Sequence, residues 1–205
     1  MVVDLDGTLL RCNSFHKYIV YLLTSPGCGL YYLNRVKILF YLALRLTRMI
    51  THKKLKLWLM QLSTEIDDSI VKDFVNKVLV KDVSKVCIDE INYWKTNNVQ
   101  LILATAAPVK YASYISKLFG FDKVFASDLL ETGELYECFR DIKAKCIADY
   151  AKNSEILAVY SDHQDDAELF KLSKECILVN PVDKNVYKLF KDSKIVIQRV
   201  IRDDL

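Results

Sequence analysis

Acidic residues are missing from a long stretch near the start of the chain. Between Gly7 and Thr64 there is no aspartate or glutamate, although the whole chain has 26 acidic and 29 basic residues and a net charge of +3. The stretch contains nine basic residues, namely Arg11, Lys17, Arg35, Lys37, Arg45, Arg48, Lys53, Lys54 and Lys56. This asymmetry predicts a positively charged surface that differs from the rest of the protein.

Uncharged segments long enough to cross a membrane are also missing. The longest charge-free run in the second predicted helix covers residues 38–44, far short of the roughly 20 residues that a spanning helix needs. Residues 18–34 are uncharged as well, but the sequence Ser25-Pro26-Gly27 divides them. No spanning helix is therefore predicted.

The chain has no C-x-x-C motif and no secretory signal. Its six cysteines show no regular spacing, which is typical of reduced, packed thiols in a reducing compartment. Asp4 and Asp6 lie where a signal peptide would have a basic start and an apolar run. These absences predict a cytoplasmic protein, with contact at the periphery of a membrane left open.

The composition is that of a globular protein. Of the 205 residues, 52% are hydrophobic and 27% are charged, so the chain is long and apolar enough to bury a core. Residues 12–83 have only helical patterns, which predict helices at residues 13–24, 30–50 and 53–62 and one after Asp67. The second of these has a polar stripe: Asn34, Lys37, Tyr41, Arg45 and Arg48, continued by His52.

From about residue 84, short apolar segments alternate with helical ones. Strands are predicted at residues 99–104, 123–126, 156–160 and 176–179, with a hairpin at Glu131-Thr132-Gly133. Helices are predicted up to Trp94, over residues 108–120, from about Asp141, from about Asp165 and at the C-terminus. Short apolar strands separated by helices predict a parallel sheet covered on both faces. We therefore predict an α/β protein with a three-layer α/β/α core from residues 1–11 and 84–205, and an all-helical insertion at residues 12–83.

The first apolar segment ends in two aspartates. Asp4 and Asp6 are separated by one leucine, and side chains alternate along a strand, so both carboxylates are expected on the same side. Gly7 allows a sharp turn and brings backbone N–H groups close to whatever the carboxylates bind. The pair suits a divalent cation and a phosphate group, because one carboxylate can attack phosphorus while the other carries a proton. The alternative is an ordinary polar turn.

Three further stretches are expected at the same edge of the sheet. Thr105 follows a strand and precedes a helix, where its hydroxyl can hold a phosphate oxygen or act as an ordinary N-cap. Asp162 and Asp166 are four residues apart, as on one helical face, and suit Mg²⁺; the alternative is acidic residues favoured at a helix start. Lys143 can balance the negative charge, although a lone lysine on a helix is usually solvated. Lys143 is preferred to Lys145 because it lies about one turn before the apolar face of its helix.

Taken in order, these motifs carry a family resemblance. The D-x-D-G-T sequence after the first strand, the strand ending in threonine, the lysine at a helix start and the later acidic pair resemble the haloacid dehalogenase (HAD) superfamily over residues 1–11 and 84–182. The helical insertion resembles the small helical cap of the phosphoserine phosphatase-like subfamily. The resemblance implies a Rossmann-like core.

The resemblance also implies roles for individual residues. Asp4 would be the nucleophile that becomes an aspartyl phosphate, and Asp6 the general acid and then base. The phosphate-binding residues would be Thr105, Lys143, Gly7 and Ala106. Mg²⁺ would be bound by Asp4, the backbone carbonyl of Asp6 and Asp162, with Asp166 in support.

We accordingly predict a Mg²⁺-dependent phosphomonoester hydrolase. Its substrate would be a small phosphorylated metabolite or a lipid-linked or prenyl-linked phosphate, with no nucleic acid partner. Asn13 lies where phosphoserine phosphatases have a substrate-binding glutamate, which argues against phosphoserine. The alternatives are a phosphotransferase and a membrane-surface or partner-binding module on the same scaffold. The basic insertion either steers small anions or rests on an anionic membrane.

Overall fold

The computed structural model describes residues 1–25, 32–152, 154–181 and 195–203. Within these residues a single sheet has seven strands in the order β4-β3-β2-β1-β5-β6-β7. The strands are β1 Val2–Val3, β2 Ile102–Pro108, β3 Lys123–Leu129, β4 Leu135–Tyr136, β5 Ile156–Ser161, β6 Ser173–Val179 and β7 Arg199–Ile201. The helices are α1 Ser14–Thr24, α2 Tyr32–Leu46, α3 His52–Ser63, α4 Asp68–Phe74, α5 Lys85–Thr96, α6 Val109–Phe119, α7 Arg140–Ala151 and α8 Ala167–Phe170.

The short strand β1 lies at the centre of the sheet. Val3 pairs in parallel with Leu103 of β2 on one side and with Tyr160 of β5 on the other. The pairs β2–β3, β5–β6 and β6–β7 are parallel as well. β4 is antiparallel to β3 and follows a turn in which Gly133 has a φ of +80°, a value that favours glycine. The predicted hairpin and the mostly parallel sheet are confirmed.

Both faces of the sheet are covered by helices. Val2 belongs to a buried cluster with Ile147 of α7 and Phe170 of α8. The next residue, Val3, belongs to a second cluster with Ile115 of α6. This alternation follows from the two-residue period of a strand, and it gives the predicted three-layer α/β/α arrangement.

The helical segment between β1 and α5 packs on the core through aromatic side chains. The rings of Tyr18 in α1, Phe74 in α4 and Tyr111 in α6 are all buried, with centroids 5.0, 5.3 and 5.6 Å apart. The division into a core and an insertion at residues 12–83 stays a prediction. No helix in the described ranges has the length and hydropathy that crossing a bilayer would require.

The second predicted helix differs from the observed one. α2 ends at Leu46 instead of residue 50, and Arg48 has a φ of +60° in the following turn. Arg48 and His52 are therefore not on its helical stripe. The predicted start at residue 30 and the Pro26-Gly27 break lie outside the described residues.

Three other elements of the structure differ from the predicted ones. β2 begins at Ile102 and continues to Pro108, with an irregularity between Ala104 and Pro108, so Thr105 lies within the strand and not after it. The helix predicted from Asp165 is a 3₁₀ turn at Gln164–Asp166 followed by the short helix α8. The predicted C-terminal helix falls largely outside the described residues, and its described end contains the unpredicted strand β7.

Candidate active site

The carboxyl ends of the central strands surround a cavity of about 260 Å³. Parallel sheets bind ligands at this edge. The volume is below the roughly 300 Å³ at which pockets for drug-sized ligands begin, so it suits a small group. The residues around it are Asp4, Asp6, Asn13, Thr105, Ala106, Phe139, Lys143, Asp162, His163, Asp165 and Asp166. Every predicted site residue except Gly7 lines this cavity.

Asp4 follows β1 directly and is held by hydrogen bonds to β5 and α7. Its backbone N–H donates to the carbonyl of Tyr160 at 2.9 Å, and its Oδ1 accepts from Lys143 Nζ at 2.8 Å. Burial raises the pKa of Asp4 well above its usual value; Lys143 opposes this shift, whereas Asp166 and Asp162 add to it. The Asp4 carboxylate is therefore stabilised chiefly by Lys143.

Asp6 is held by the N-terminus of α1. The backbone N–H of Ser14 donates to Asp6 Oδ1 at 2.7 Å, and the Ser14 hydroxyl is 3.0 Å from that of Tyr111. Burial raises the pKa of Asp6, against the opposing effects of Ser14 and Lys143. Asp6 is thus a fixed carboxyl group whose pKa is shifted in the direction that a proton donor requires.

Gly7 lies against the carboxylate of Asp162. Its φ is +78°, and a Cβ atom at this position would be 2.2 Å from Asp162 Oδ2. Both facts require glycine. Gly7 therefore allows the loop after β1 to approach the carboxylate after β5.

Thr105 lies in the irregular part of β2. Its hydroxyl accepts from the backbone N–H of Ala107 at 2.9 Å. The N-cap of α6 is Pro108 and not Thr105, so the interpretation of Thr105 as an ordinary N-cap is wrong. Thr105 lines the cavity next to Ala106.

Lys143 connects two of the carboxylates. It lies in the first turn of α7, its side chain is 4% exposed, and its Nζ is 2.8 Å from Asp4 Oδ1 and 2.7 Å from Asp166 Oδ1. Burial by itself lowers the pKa of Lys143, but Asp166 and Asp4 outweigh it and raise the pKa overall. Lys143 is therefore a permanently charged group at the cavity. Lys145 is exposed.

The backbone between Asp162 and Asp166 differs from the predicted helix, although both residues line the cavity. Asp162 follows β5, His163 is extended, and Asp166 ends a 3₁₀ turn, so the two do not share one face of an α-helix. Burial raises the pKa of Asp162 to about 6. Asp166 accepts from Lys143 through one oxygen and from the Ser161 hydroxyl, at 2.6 Å, through the other. Asp166 is thus already bonded to protein donors through both oxygens.

The carboxylates of Asp4 and Asp162 fit a Mg²⁺ ion. Among the described residues, no three His, Cys, Asp or Glu side chains are grouped closely enough to form a metal cage. Mg²⁺ does not need one, because it usually binds one or two carboxylates and completes its octahedron with waters and substrate phosphate. Asp4 and Asp162 line the same cavity, and both offer the oxygen ligands that this ion prefers.

Comparison with known proteins agrees with this geometry. The haloacid dehalogenase-like hydrolase family matches residues 1–171. The chain belongs to this family. No curated protein matches the sequence of this HAD-family hydrolase, and the similarities to solved structures are similarities of fold.

A protein of unknown function from Bordetella pertussis Tohama I has 17% identity and a TM-score of 0.78, with 98% of this chain and 96% of that one covered. A phosphoserine phosphohydrolase-like protein from Francisella tularensis subsp. tularensis SCHU S4 has 15% identity, a TM-score of 0.60 and coverage of 98% and 94%. A substrate-bound phosphoserine phosphatase has 12% identity, a TM-score of 0.63 and coverage of 98% and 90%. The predicted family is confirmed.

Lys56 of this hydrolase was not predicted as part of the site. The residue is 4% exposed, and its Nζ donates to the Ala106 carbonyl at 2.6 Å, to the Ser127 hydroxyl at 3.1 Å and to Glu137 at 2.8 Å. It therefore joins α3 to the irregular part of β2 beside Thr105. No local pattern indicates its burial, because of the two residues that follow it at helical spacing and are buried with it, Met60 and Ser63, only Met60 is apolar.

Asn13 and Ser161 were not predicted as structural supports of the site. The Asn13 side chain caps α1 by accepting from the backbone N–H of His16 at 2.8 Å. The Ser161 hydroxyl orients Asp166. Asn13 has a local signal, because asparagine is a preferred N-cap before a helix, whereas the bond from Ser161 to Asp166 depends on the 3₁₀ turn between them.

Lys56→Met is expected to destabilise the folded protein by about 2 to 4 kcal/mol, because it leaves Glu137 and the Ala106 carbonyl without their cationic partner in a buried site. Glu137 keeps 21% exposure of its side chain, which reduces the cost. The free energy of unfolding in urea measures the effect.

The matched control is Lys53→Met, which removes an exposed lysine from the same helix and should change stability by less than about 0.5 kcal/mol. Adding Glu137→Gln to Lys56→Met should recover part of the loss by removing the unpaired charge. Equal effects of the two single lysine substitutions would refute the role given to Lys56.

Proposed function

We propose that this protein is a Mg²⁺-dependent phosphomonoester hydrolase that acts through an aspartyl phosphate on Asp4. The main support is the position of Lys143 between Asp4 and Asp166 at the cavity. A buried cation beside a carboxylate nucleophile can bind the transferring phosphoryl group and offset its charge, which is most of what phosphoryl transfer requires.

In the first step, an oxygen of the Asp4 carboxylate attacks phosphorus, and the bond between phosphorus and the ester oxygen breaks. The leaving alkoxide takes a proton from Asp6, whose pKa is raised by burial, the direction that a proton donor requires. The products are the free alcohol and a phosphorylated Asp4. The hydrogen bond from Ser14 keeps Asp6 at a fixed position for this transfer.

In the second step, Asp6 acts as a base. It takes a proton from a water molecule whose oxygen attacks phosphorus, and the bond from phosphorus to the Asp4 oxygen breaks. Inorganic phosphate leaves, Asp4 is again a carboxylate, and Asp6 is again protonated. The two steps thus return both aspartates to their starting states.

The remaining site residues bind the phosphoryl group and the metal. Thr105 through its hydroxyl, and Gly7 and Ala106 through backbone N–H groups, would complete phosphate binding around Lys143. Asp4, Asp162 and the Asp6 carbonyl would hold Mg²⁺. The ion would supply positive charge to the phosphate oxygens and keep Asp4 ionised. Asp166, bonded to Lys143 and Ser161, would support the site by orienting that lysine.

The helical insertion at residues 12–83 would act as a cap on this site. Asn13 lines the cavity, Ser14 holds Asp6, and Lys56 is bonded to the Ala106 carbonyl. Phosphoserine is not proposed as the substrate: Asn13 replaces the glutamate of phosphoserine phosphatases, and its side chain is occupied in capping α1. The proposal covers phosphomonoesters of small metabolites or lipids.

Purified protein with Mg²⁺ is expected to hydrolyse p-nitrophenyl phosphate, and removal of the metal with EDTA should reduce the rate by about 100-fold or more. Release of p-nitrophenol measures both rates, and adding Mg²⁺ back should restore activity. The diester bis(p-nitrophenyl) phosphate is the control and should not be hydrolysed, because its phosphorus has only two non-bridging oxygens for Lys143 and the metal and carries a second aryl group in place of the third. Absence of Mg²⁺-dependent hydrolysis across p-nitrophenyl phosphate and a panel of phosphorylated metabolites and lipids would contradict the proposal.

A further inference from the structure

The outward side of helix α2 is apolar. Its exposed large side chains are Tyr32, Leu33, Val36, Leu39, Phe40 and Leu46. Tyr32, Leu33 and Leu46 are 80%, 71% and 84% exposed. The positions are separated by three, four and seven residues, which places them on one side of the helix. We call these six residues the α2 outer face.

The opposite side of α2 carries three members of the predicted polar stripe. Asn34 is buried beside Ile38, and Tyr41 and Arg45 are partly buried. A surface helix normally packs its apolar side on the core and leaves its polar side in water. α2 packs Ile38, Tyr41 and Leu42 on the core, but its outer face is apolar as well, so that face keeps apolar surface in water, which typically marks an interaction site.

Exposed basic side chains lie close to this face along the chain. Lys37 on α2, Arg48 in the following turn and Lys53 at the start of α3 are exposed, and no acidic residue occurs between Gly7 and Thr64. A second copy of this chain would bring the same basic residues together across a two-fold axis, where like charges repel. The partner that matches the border is therefore negatively charged.

We propose that the α2 outer face binds the surface of an anionic membrane. Leucine and aromatic side chains on one side of a helix, with lysine and arginine at its border, are typical of helices that lie in the plane of the lipid interface. The apolar side chains would enter the boundary between headgroups and acyl chains. Lys37, Arg48 and Lys53 would contact the anionic headgroups.

The test is sedimentation of the full chain with vesicles, using phosphatidylcholine mixed with phosphatidylserine and, in parallel, phosphatidylcholine alone. We expect co-sedimentation with the anionic vesicles, weakened by added salt, and little with the neutral ones. Leu33→Ser with Phe40→Ser removes apolar contact, and Lys37→Glu with Arg48→Glu reverses two charges. Each pair should weaken vesicle binding by about tenfold or more.

Matched controls come from α6, where Lys117 and Leu118 are exposed. Lys117→Glu and Leu118→Ser should leave vesicle binding unchanged. None of the six substituted residues lines the cavity, so hydrolysis of p-nitrophenyl phosphate in solution should persist in every variant and reports that each one is folded.

Three outcomes would overturn the proposal. One is a dimer in sedimentation velocity that Leu33→Ser with Phe40→Ser dissociates, without vesicle binding; the α2 outer face would then bind a second copy. Another is a monomer that binds neither kind of vesicle at low ionic strength, which would assign the face to a protein partner. The third is vesicle binding that the α6 controls weaken as much as the α2 variants do.

Discussion

Asp4→Asn is expected to reduce hydrolysis of a phosphomonoester to background, a loss on the order of 10⁴-fold or more. The amide keeps the shape of the side chain, but it has neither the negative charge that attacks phosphorus nor a carboxylate for the metal. It also relieves the burial of a charged group, so the folded state should survive. Turnover and trapping of phosphoenzyme from a ³²P-labelled substrate measure the effect.

Asp6→Asn is the matched comparison, since it makes the same change two residues away. It should slow both steps by roughly 10²- to 10⁴-fold by removing the proton donor and acceptor, while the nucleophile at Asp4 remains able to take the label. Asp4→Asn should yield no labelled protein. Retained turnover in Asp4→Asn would exclude the covalent mechanism.

Lys143→Met is expected to lower activity by about 10²- to 10³-fold, the loss typical when one preorganised charge contact to a transition state is removed. It should also destabilise the protein by about 3 to 5 kcal/mol at neutral pH, because Asp4 and Asp166 then face each other without their cation. Initial rates and urea unfolding of the metal-free protein give the two quantities.

The stability loss in Lys143→Met should depend on pH. Burial already holds the pKa of Asp4 above its unfolded value, and removal of the lysine raises it further. A group with a raised pKa in the folded state favours folding below its unfolded pKa, and that contribution is lost as pH rises through the folded pKa. The stability of the variant should therefore be closest to that of the wild type in mild acid, and the difference should grow as the pH approaches neutrality.

Lys145→Met is the control for both measurements, because Lys145 lies two residues further on and is exposed. It should leave activity and stability close to those of the unchanged protein. Loss of activity in Lys145→Met together with retention in Lys143→Met would mean that the phosphate-binding lysine has been placed two residues too early.

Local patterns in the sequence were sufficient for the sheet and for the position of its motifs. The apolar run before Asp4, the glycine that follows Asp6 and the alternation of strands with helices predicted a parallel sheet with acidic groups at its carboxyl edge. Gly120, at the end of α6 with a φ of +66°, was predicted as a helix end. Such features depend on residues only a few positions apart, so they can be predicted from the sequence.

Predictions from spacing were wrong where the chain leaves regular geometry. The spacing of Asp162 and Asp166 suggested one helical face, but a 3₁₀ turn joins them. Thr105 was expected after β2 and lies in its irregular part. Both are near the site, where the backbone turns to bring polar groups into one cavity.

The sequence by itself determined the order of the motifs, the two-residue alternation that covers both faces of the sheet and the acid-free segment of residues 8–63. Only the tertiary structure decided which charges are buried and what they bind. Lys143 and Asp4 are 139 residues apart, and Lys56 and Glu137 are 81 apart; their pairing follows from the packing of distant elements. The same packing buried Asn34 of α2 and left the apolar outer face of this helix in water. Burial is a property of contacts across the whole chain, and a local pattern of residues does not specify it.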